Sequence, residues 1–149
     1  MKILLLGSGG REHAIAWRLR QDDPTVELYT SPGTVNPAWA PTISSVPTPL
    51  IRGNSYTISG TQFNGLSAGT TYGDDGQMAT SYPIVRIVNS ATKHVFYART
   101  HDHSTMGIAT GSTTVSTTFD VPAAAEAGPS VIFVVANGIA SKGVRVNLK

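Results

Sequence analysis

The first thirty residues follow a strand–helix–strand pattern that stops abruptly, and this pattern constrains the fold more than any other feature. Residues 2–6 (KILLL) form a mostly apolar run that is typical of a buried strand. Residues 11–21 then predict a helix that ends at Pro24, and residues 25–30 (TVELYT) predict a second strand. No helix-forming window of useful length follows in this sequence. The sequence therefore does not predict the further strands and helices of the α/β sheet that such a unit normally joins.

The remaining residues are rich in Thr, Ser, Val, Gly and Pro, which favours strands and turns over helices. The sequence therefore predicts two domains, a β-α-β fragment at 1–33 and a sandwich at 34–149. The fold class is mainly β, an immunoglobulin-like β-sandwich of about seven strands preceded by the short β-α-β fragment. The strands are expected at residues 42–46, 55–59, 83–89, 94–100, 115–121, 130–136 and 143–148.

The core prediction depends on the most apolar strand, residues 130–136 (SVIFVVA), which we expect to be central. Alternation places Ile132 and Val134 on one face and Phe133 on the other, and we expect the Phe133 ring to fill the core. Trp39 and Phe63 are likewise expected to be packing residues, as are Trp17 and Tyr72.

Composition excludes several classes of partner. The formal net charge is +2 and only 13% of residues are charged, so no basic stripe for nucleic acid is present. No apolar run reaches membrane-spanning length, and the start of the chain does not read as a secretory signal. The chain has no cysteine, so the sequence gives no redox compartment. We therefore expect neither a nucleic-acid partner nor a membrane, and the localisation stays unknown.

The start of the chain, GSGGREHAIAW at residues 7–17 with the SPG turn at 31–33, resembles the N-terminus of phosphoribosylamine–glycine ligase. That resemblance implies a cytoplasmic enzyme of purine biosynthesis with a phosphate-facing loop. It covers about a fifth of the chain. The family also needs an ATP-grasp region, which this sequence does not contain, so ligase activity is not expected to carry over.

The rest of the chain resembles the C-terminal early-set, immunoglobulin-like domain of galactose-oxidase-like proteins, in which a kelch-type β-propeller precedes this domain. That resemblance implies an extracellular setting, a propeller partner, and a loop histidine that reaches the propeller's copper site, at either His101 or His103. The chain thus resembles a chimera of two families. The stretches that carry the likeness are NPAWAPTI (36–43), SGTQFNGLSAGTTYGDD (59–75), YPIVRI (82–87), ARTHDHSTMGIATG (98–111), FDVP (119–122) and VVANG (134–138).

Two segments contain candidate ligand-binding residues. A phosphate could contact the backbone N–H groups of a glycine loop, although a lone loop of this kind is more often a leftover strand–helix turn. The residues of the loop are Gly7, Ser8, Gly9, Gly10 and Arg11. The histidines His101 and His103 share a face if they lie in a strand, and His94 is a candidate third ligand. The alternative is a polar loop without metal. We expect no cofactor, with weak copper binding possible at this pair.

Other chemistry is not favoured by the sequence. Asp74 and Asp75 lie in ordinary turn sequence without the ligand spacing of a calcium loop. The sequence contains no ordered Ser-His-acid set, so it does not predict a hydrolase.

The first hypothesis is therefore a non-catalytic accessory domain that packs on a propeller and presents the loop that contains His101 and His103. The alternative is a ligase remnant with a phosphate-binding loop. In either case the chain is predicted not to be an enzyme.

Overall fold

The structure is a computed structural model, which describes residues 2–5, 18–19, 21–23, 25, 27–30, 36–66 and 82–149. The chain divides into two compact units, Met1–Asn36 and Pro37–Lys149. Among the residues described, no helix has the length and apolar character needed to cross a membrane.

The first unit contains two parallel strands, β1 (Lys2–Leu5) and β2 (Glu27–Thr30), with Lys2 opposite Glu27 and Leu5 opposite Thr30. Parallel strands need a crossover connection between them. Four residues of the connection have helical backbone, and the Asp23 amide donates to the Leu19 carbonyl oxygen over 3.0 Å as a last helical turn does. Both predicted strands are confirmed, whereas most of the predicted helix lies outside the described residues.

In its described residues, the second unit contains eight strands after a short 3-10 turn at Pro37–Trp39. All seven predicted strands of this unit are present, with bounds that differ from the expected ones by at most two residues. The strand that was not predicted, Ile139–Ala140, has only two residues, which are too few for a periodic pattern to indicate a strand. The strands are β3 (Thr42–Ser45), β4 (Ser55–Thr61), β5 (Ile84–Asn89), β6 (Val95–His101), β7 (Val115–Asp120), β8 (Gly128–Ala136), β9 (Ile139–Ala140) and β10 (Val144–Leu148).

The strand order is β10-β8-β5-β6-β7-β4-β3, with β9 pairing β8, and every pair of these strands is antiparallel. Strand β6 belongs to two layers: residues 95–98 pair with β5 and residues 99–101 pair with β7. One layer therefore holds β10, β8 and β5, and the other holds β3, β4 and β7. Leu50, between β3 and β4, forms a parallel bridge with Leu148, which brings the two ends of the sheet together in a nearly barrel-like arrangement.

The core lies between these layers and follows the alternation of the strands. In β7, Val115, Thr117 and Phe119 are buried, while the residues between them are partly exposed. In β5 the buried hydrophobic positions are Val85 and Ile87, on one face. Burial of one large apolar side chain contributes about 1.5–3 kcal/mol, so the facing rows of this core are the main source of stability.

The prediction that Phe133 fills the core is wrong. Ile132 and Val134 have 0% exposure, whereas Phe133 lies on the outer face of β8, where the Arg86 guanidinium carbon is 4.6 Å from the ring centroid. The apolar run of β8 is continuous, so its sequence does not distinguish the inner face from the outer one. Trp39 also departs from expectation because it is 48% exposed, whereas Phe63 is buried as predicted.

Candidate functional site

The histidine loop begins at the end of β6, where both ring nitrogens of His101 face carboxylates. The Nε2 atom lies 3.0 Å from Asp120 Oδ1, at the end of β7, and the Nδ1 atom lies 2.8 Å from Asp102 Oδ2. Asp102 has φ 49, in the left-handed region, so the chain turns sharply directly after the strand. The pairing of β6 with β7, in which His101 lies opposite Thr118, places these side chains together.

Asp120 is the centre of this polar cluster. Its Oδ1 atom accepts a hydrogen bond from the Ser55 hydroxyl over 2.6 Å, and its Oδ2 atom lies 3.8 Å from an Arg99 guanidinium nitrogen. The Ser55 hydrogen bond, followed by the one from His101, lowers the pKa of Asp120 below its ordinary value. In turn, the hydrogen bonds to Asp120 and then to Asp102 raise the pKa of His101. The arrangement therefore favours an imidazolium held between two carboxylates.

His103 lies in a different environment, only two residues along the chain. Its Nδ1 atom is 2.8 Å from the hydroxyl of the buried Thr117, and its ring stacks on Tyr82 with centroids 6.3 Å apart. The Thr117 hydroxyl can donate to the His101 carbonyl oxygen over 3.1 Å, which leaves it to accept from a protonated Nδ1 of His103. Burial, and then the charge on His101, lower the pKa of His103.

The predicted metal ligands therefore have other partners. A protonated His101 has no nitrogen lone pair to offer a metal, which leaves the Nε2 atom of His103 as the acceptor of the pair. Within the described part of the chain, no group of three or more His, Cys, Asp or Glu side chains is placed to hold a metal ion. Weak copper binding at His101 and His103 stays a prediction.

His94 is not brought to this site. It precedes β6, whereas His101 ends it, and seven residues of extended strand span about 23 Å. The Nδ1 atom of His94 is instead 2.6 Å from Glu126 Oε1, and the other oxygen of Glu126 accepts a hydrogen bond from Thr92. These contacts, first Thr92 and then His94, lower the pKa of Glu126. The pair links the β5–β6 turn to the segment before β8.

The predicted phosphate loop, Gly7, Ser8, Gly9, Gly10 and Arg11, lies outside the described residues, and so do Asp74 and Asp75. The structure does define the strand that precedes the loop: β1 ends at Leu5, beside Thr30 at the end of the parallel β2. Sequence analysis missed Ser55 and Asp120 as site residues. Alternation along β7 places Asp120 on the outer face, but only the pairing of β6 with β7 brings it to His101.

Comparison with known proteins identifies a relationship for the first part of the chain. Residues 1–52 match the family described as "Phosphoribosylglycinamide synthetase, N domain". The resemblance predicted for residues 1–33 is therefore confirmed, and the match extends further, across β3 and Leu50. It does not bear on the sequence after residue 52, for which the galactose-oxidase-like resemblance stays a prediction.

The similar proteins are ligases and a larger purine-biosynthetic protein. A phosphoribosylamine–glycine ligase from Rhizobium meliloti (strain 1021) is 58% identical over 33 residues, which are 22% of this chain and 8% of that protein. The ligase from Escherichia coli O157:H7 is 41% identical over 46 residues, 31% of this chain and 11% of the ligase. A trifunctional purine biosynthetic protein adenosine-3 from Chironomus tentans is 53% identical over 34 residues, 23% of this chain and 2% of that protein. The chain thus spans about a tenth or less of their length.

Proposed function

We propose that the first unit is a partial counterpart of the ligase N domain and that it binds a phosphorylated sugar through Gly7, Ser8, Gly9, Gly10 and Arg11. The observation that carries this proposal is the parallel pairing of β1 with β2 inside the segment that matches the N-domain family. In parallel sheets, ligands bind beyond the carboxyl ends of the strands. The glycine-rich segment follows that end of β1 directly in the sequence.

The proposal is confined to binding and does not extend to the ligase reaction. The chain aligns with 8–11% of the length of the ligases named above, so most of their sequence has no aligned counterpart in it. Backbone N–H groups of a glycine turn, with an arginine beside them, suffice to hold a phosphate but do not activate it. Phosphate recognition is therefore the part of the relatives' chemistry that this segment can retain.

A calorimetric titration with ribose 5-phosphate tests the proposal, with ribose as the reference ligand. We expect heat of binding for the phosphorylated sugar alone, and affinity about tenfold lower for Arg11→Ala, since one charge-assisted contact contributes roughly that much. Arg18→Ala is the matched control because it removes the same charge from an exposed side chain that is paired with Asp22. Equal binding of ribose and its phosphate, or equal loss in both variants, would contradict the proposal.

For residues 34–149 we propose a non-catalytic, immunoglobulin-like accessory domain of the early-set type. The strand order supports this. In immunoglobulin domains strands A, B, E and D form one sheet and C, F and G the other. Here β3, β4, β7 and the second half of β6 occupy the first set of positions, and β5, β8 and β10 occupy the second. The resemblance described above adds a kelch-type propeller as the expected neighbour.

This second proposal is tested with a recombinant kelch-type propeller of a galactose-oxidase-like protein, produced without its own sandwich domain. We expect the full chain to bind it in sedimentation experiments, and we expect the double variant His101→Ala, His103→Ala to bind less tightly because it alters the loop that faces the propeller. Thr113→Ala, in the turn that precedes β7, is the control substitution. Absence of binding by the unmodified chain, or equal binding of all three proteins, would count against the propeller as partner.

A further inference from the structure

The first half of β6 is an open edge of its layer. Residues 95–98 pair with β5 on one side, but β7 pairs with β6 only from Arg99 onward, where Arg99 lies opposite Asp120. On the side away from β5, therefore, residues 95–98 have no paired strand among the described residues. An edge of this kind presents backbone donors and acceptors that another strand can use.

The register shows which backbone groups face that open side. The Asn89 amide donates to the His94 carbonyl oxygen over 3.0 Å, so these two residues form a hydrogen-bonded pair. In antiparallel strands such pairs recur at every second residue, which makes Phe96 and Ala98 the next residues bonded to β5. The N–H and C=O groups of Val95 and Tyr97 consequently point away from β5. The open edge thus offers two donors and two acceptors.

The side chains beside this edge are apolar and exposed. Tyr97 is 61% exposed and Val95 is 48% exposed, on the outer face of the layer. Arg86 lies opposite Tyr97 in β5, with its guanidinium over the Phe133 ring, and its buried Nε atom has no hydrogen-bond partner. A buried donor without an acceptor costs free energy, so a bound group that supplies a carboxylate here would be favoured.

The charged side chains beside this edge are mostly basic. Arg86 and Arg145 occupy outward positions of a layer whose described strands β5, β8 and β10 carry no outward Asp or Glu, and Arg99 follows the edge, with the Asp120 carboxylate of β7 3.8 Å from its guanidinium. A second copy of β6 has no carboxylate at its own outward positions, which are Val95, Tyr97, Arg99 and His101, so it would not neutralise these charges. The complementary occupant is a strand that carries carboxylates.

We propose that the open edge of β6 at Val95 and Tyr97 binds an extended, acidic segment of a partner protein as an added strand. Main-chain hydrogen bonds to Val95 and Tyr97 would hold the segment, as in other cases of strand addition. Its apolar side chains would cover Tyr97 and Val95, and its carboxylates would meet Arg86 and Arg99. This inference is independent of the two functions proposed above.

Fluorescence anisotropy with labelled synthetic peptides tests the inference on the full chain. The probe is a short peptide in which valine and glutamate alternate. One reference peptide has lysine in place of glutamate. The other has the sequence of the probe, with methyl groups on alternate backbone nitrogens. We expect only the unmethylated glutamate peptide to bind. Tyr97→Pro should weaken this binding about tenfold or more, because proline removes an N–H group that points outward and is tolerated at such edge positions.

A charge variant and its control separate this site from general attraction to arginine. Arg99→Gln should weaken binding of the glutamate peptide severalfold. Arg145→Gln should leave it unchanged because Arg145 lies on β10, at the other edge of the layer and about 14 Å from β6. If Tyr97→Pro does not fold, the methylated peptide still tests whether main-chain hydrogen bonds hold the segment, because it should not bind to the unmodified chain. Equal binding of all peptides overturns the proposal, and so does a dimer of the unmodified chain that Tyr97→Pro dissociates.

Discussion

His101 Nε2 and Asp120 Oδ1 lie 3.0 Å apart, so the last residue of β6 is joined to the last residue of β7 by their side chains as well as by the sheet. The same Asp120 oxygen accepts from Ser55 at the start of β4. Three strands of one layer therefore meet at a single carboxylate. This cluster gives the second unit a titratable connection at one end of that layer.

The first prediction concerns the pH dependence of that connection. The pKa of His101 is raised in the folded chain, so its contribution to stability is complete below the ordinary value of 6.5 and is lost as pH rises through the folded value. The lowered pKa of Asp120 adds stability above its ordinary value of 3.8, which is lost at still lower pH. The stability difference between the native chain and His101→Gln should therefore be largest between these two values and shrink above pH 6.5. Urea unfolding at several pH values measures it.

A control is needed because His103 titrates with the opposite sign. Its pKa is lowered, so its contribution is complete above the ordinary value of 6.5 and is lost as pH falls through the folded value. The comparison of His101 with His101→Gln should therefore be repeated in a His103→Gln background. If the loss of stability caused by His101→Gln does not change with pH in that background, the His101–Asp120 pair is not the titrating connection.

The second prediction concerns the two faces of β8. Ile132→Ala should lower the free energy of unfolding by about 2–5 kcal/mol because it leaves a cavity between the layers. Phe133→Ala, on the outer face, should cost only about 1 kcal/mol, of which its contact with Arg86 is one part. Urea denaturation of the two variants compares them directly. A larger loss for Phe133→Ala than for Ile132→Ala would reverse the assignment of inner and outer faces.

The third prediction concerns the close approach of β3 and β4. A Cβ atom at Gly60 would lie 1.8 Å from the Thr42 carbonyl oxygen, which is part of the facing backbone. Gly60→Ala should therefore destabilise the fold by about 1–3 kcal/mol or more, since the strands have to separate. Gly107→Ala is the matched control because a Cβ there meets only the Thr105 hydroxyl oxygen at 3.3 Å. Equal thermal midpoints for the two variants would show that β3 moves freely away from β4.

The fourth prediction concerns copper. We expect weak binding by titration calorimetry, with affinity falling as pH drops through roughly 6.5, because protonation removes the imidazole lone pair. The double variant His101→Ala, His103→Ala should abolish it. Asp120→Asn should strengthen it, since loss of that carboxylate lowers the pKa of His101. Tight binding that survives the double substitution would place the metal elsewhere in the chain.

The fifth prediction concerns the independence of the second unit. All eight strands of the larger sheet lie within Pro37–Lys149, so this segment should fold without residues 1–36. We expect a single cooperative thermal transition for the shortened chain, with near-native far-ultraviolet circular dichroism. A broad transition without a defined midpoint would mean that the first unit is needed for folding of the second.

The strands could be predicted from the sequence because most of them alternate polar and apolar residues, and this period is local. Val115, Thr117 and Phe119 show it clearly, and the structure buries all three. Phe133 could not be placed because its neighbours are apolar on both sides. Which face is inner depends on what packs against β8, and this is a property of the assembled sheet rather than of a short window.

The two histidines of the candidate site could be predicted from the sequence, but their partners could not, because these also depend on how the strands pair. His101 and His103 stood out as a pair of imidazoles, and alternation was expected to place them on a common face. In the structure the strand ends at His101 and the chain turns at Asp102, so the two rings acquire separate partners. Ser55 and Asp120 are 65 positions apart in sequence, and only the antiparallel register of β4 with β7 brings them together.

The passage of β6 from one layer to the other gives the second unit a mechanical property. Because a single strand is bonded to β5 along its first half and to β7 along its second, the layers cannot be pulled apart without shearing one of these two ladders. Force applied at the open edge near Tyr97 is therefore transmitted along the same backbone to His101, a few residues away. Force applied at the two ends of the second unit should instead load the outer strands β3 and β10, and the Leu50–Leu148 bridge between them, before it reaches β6.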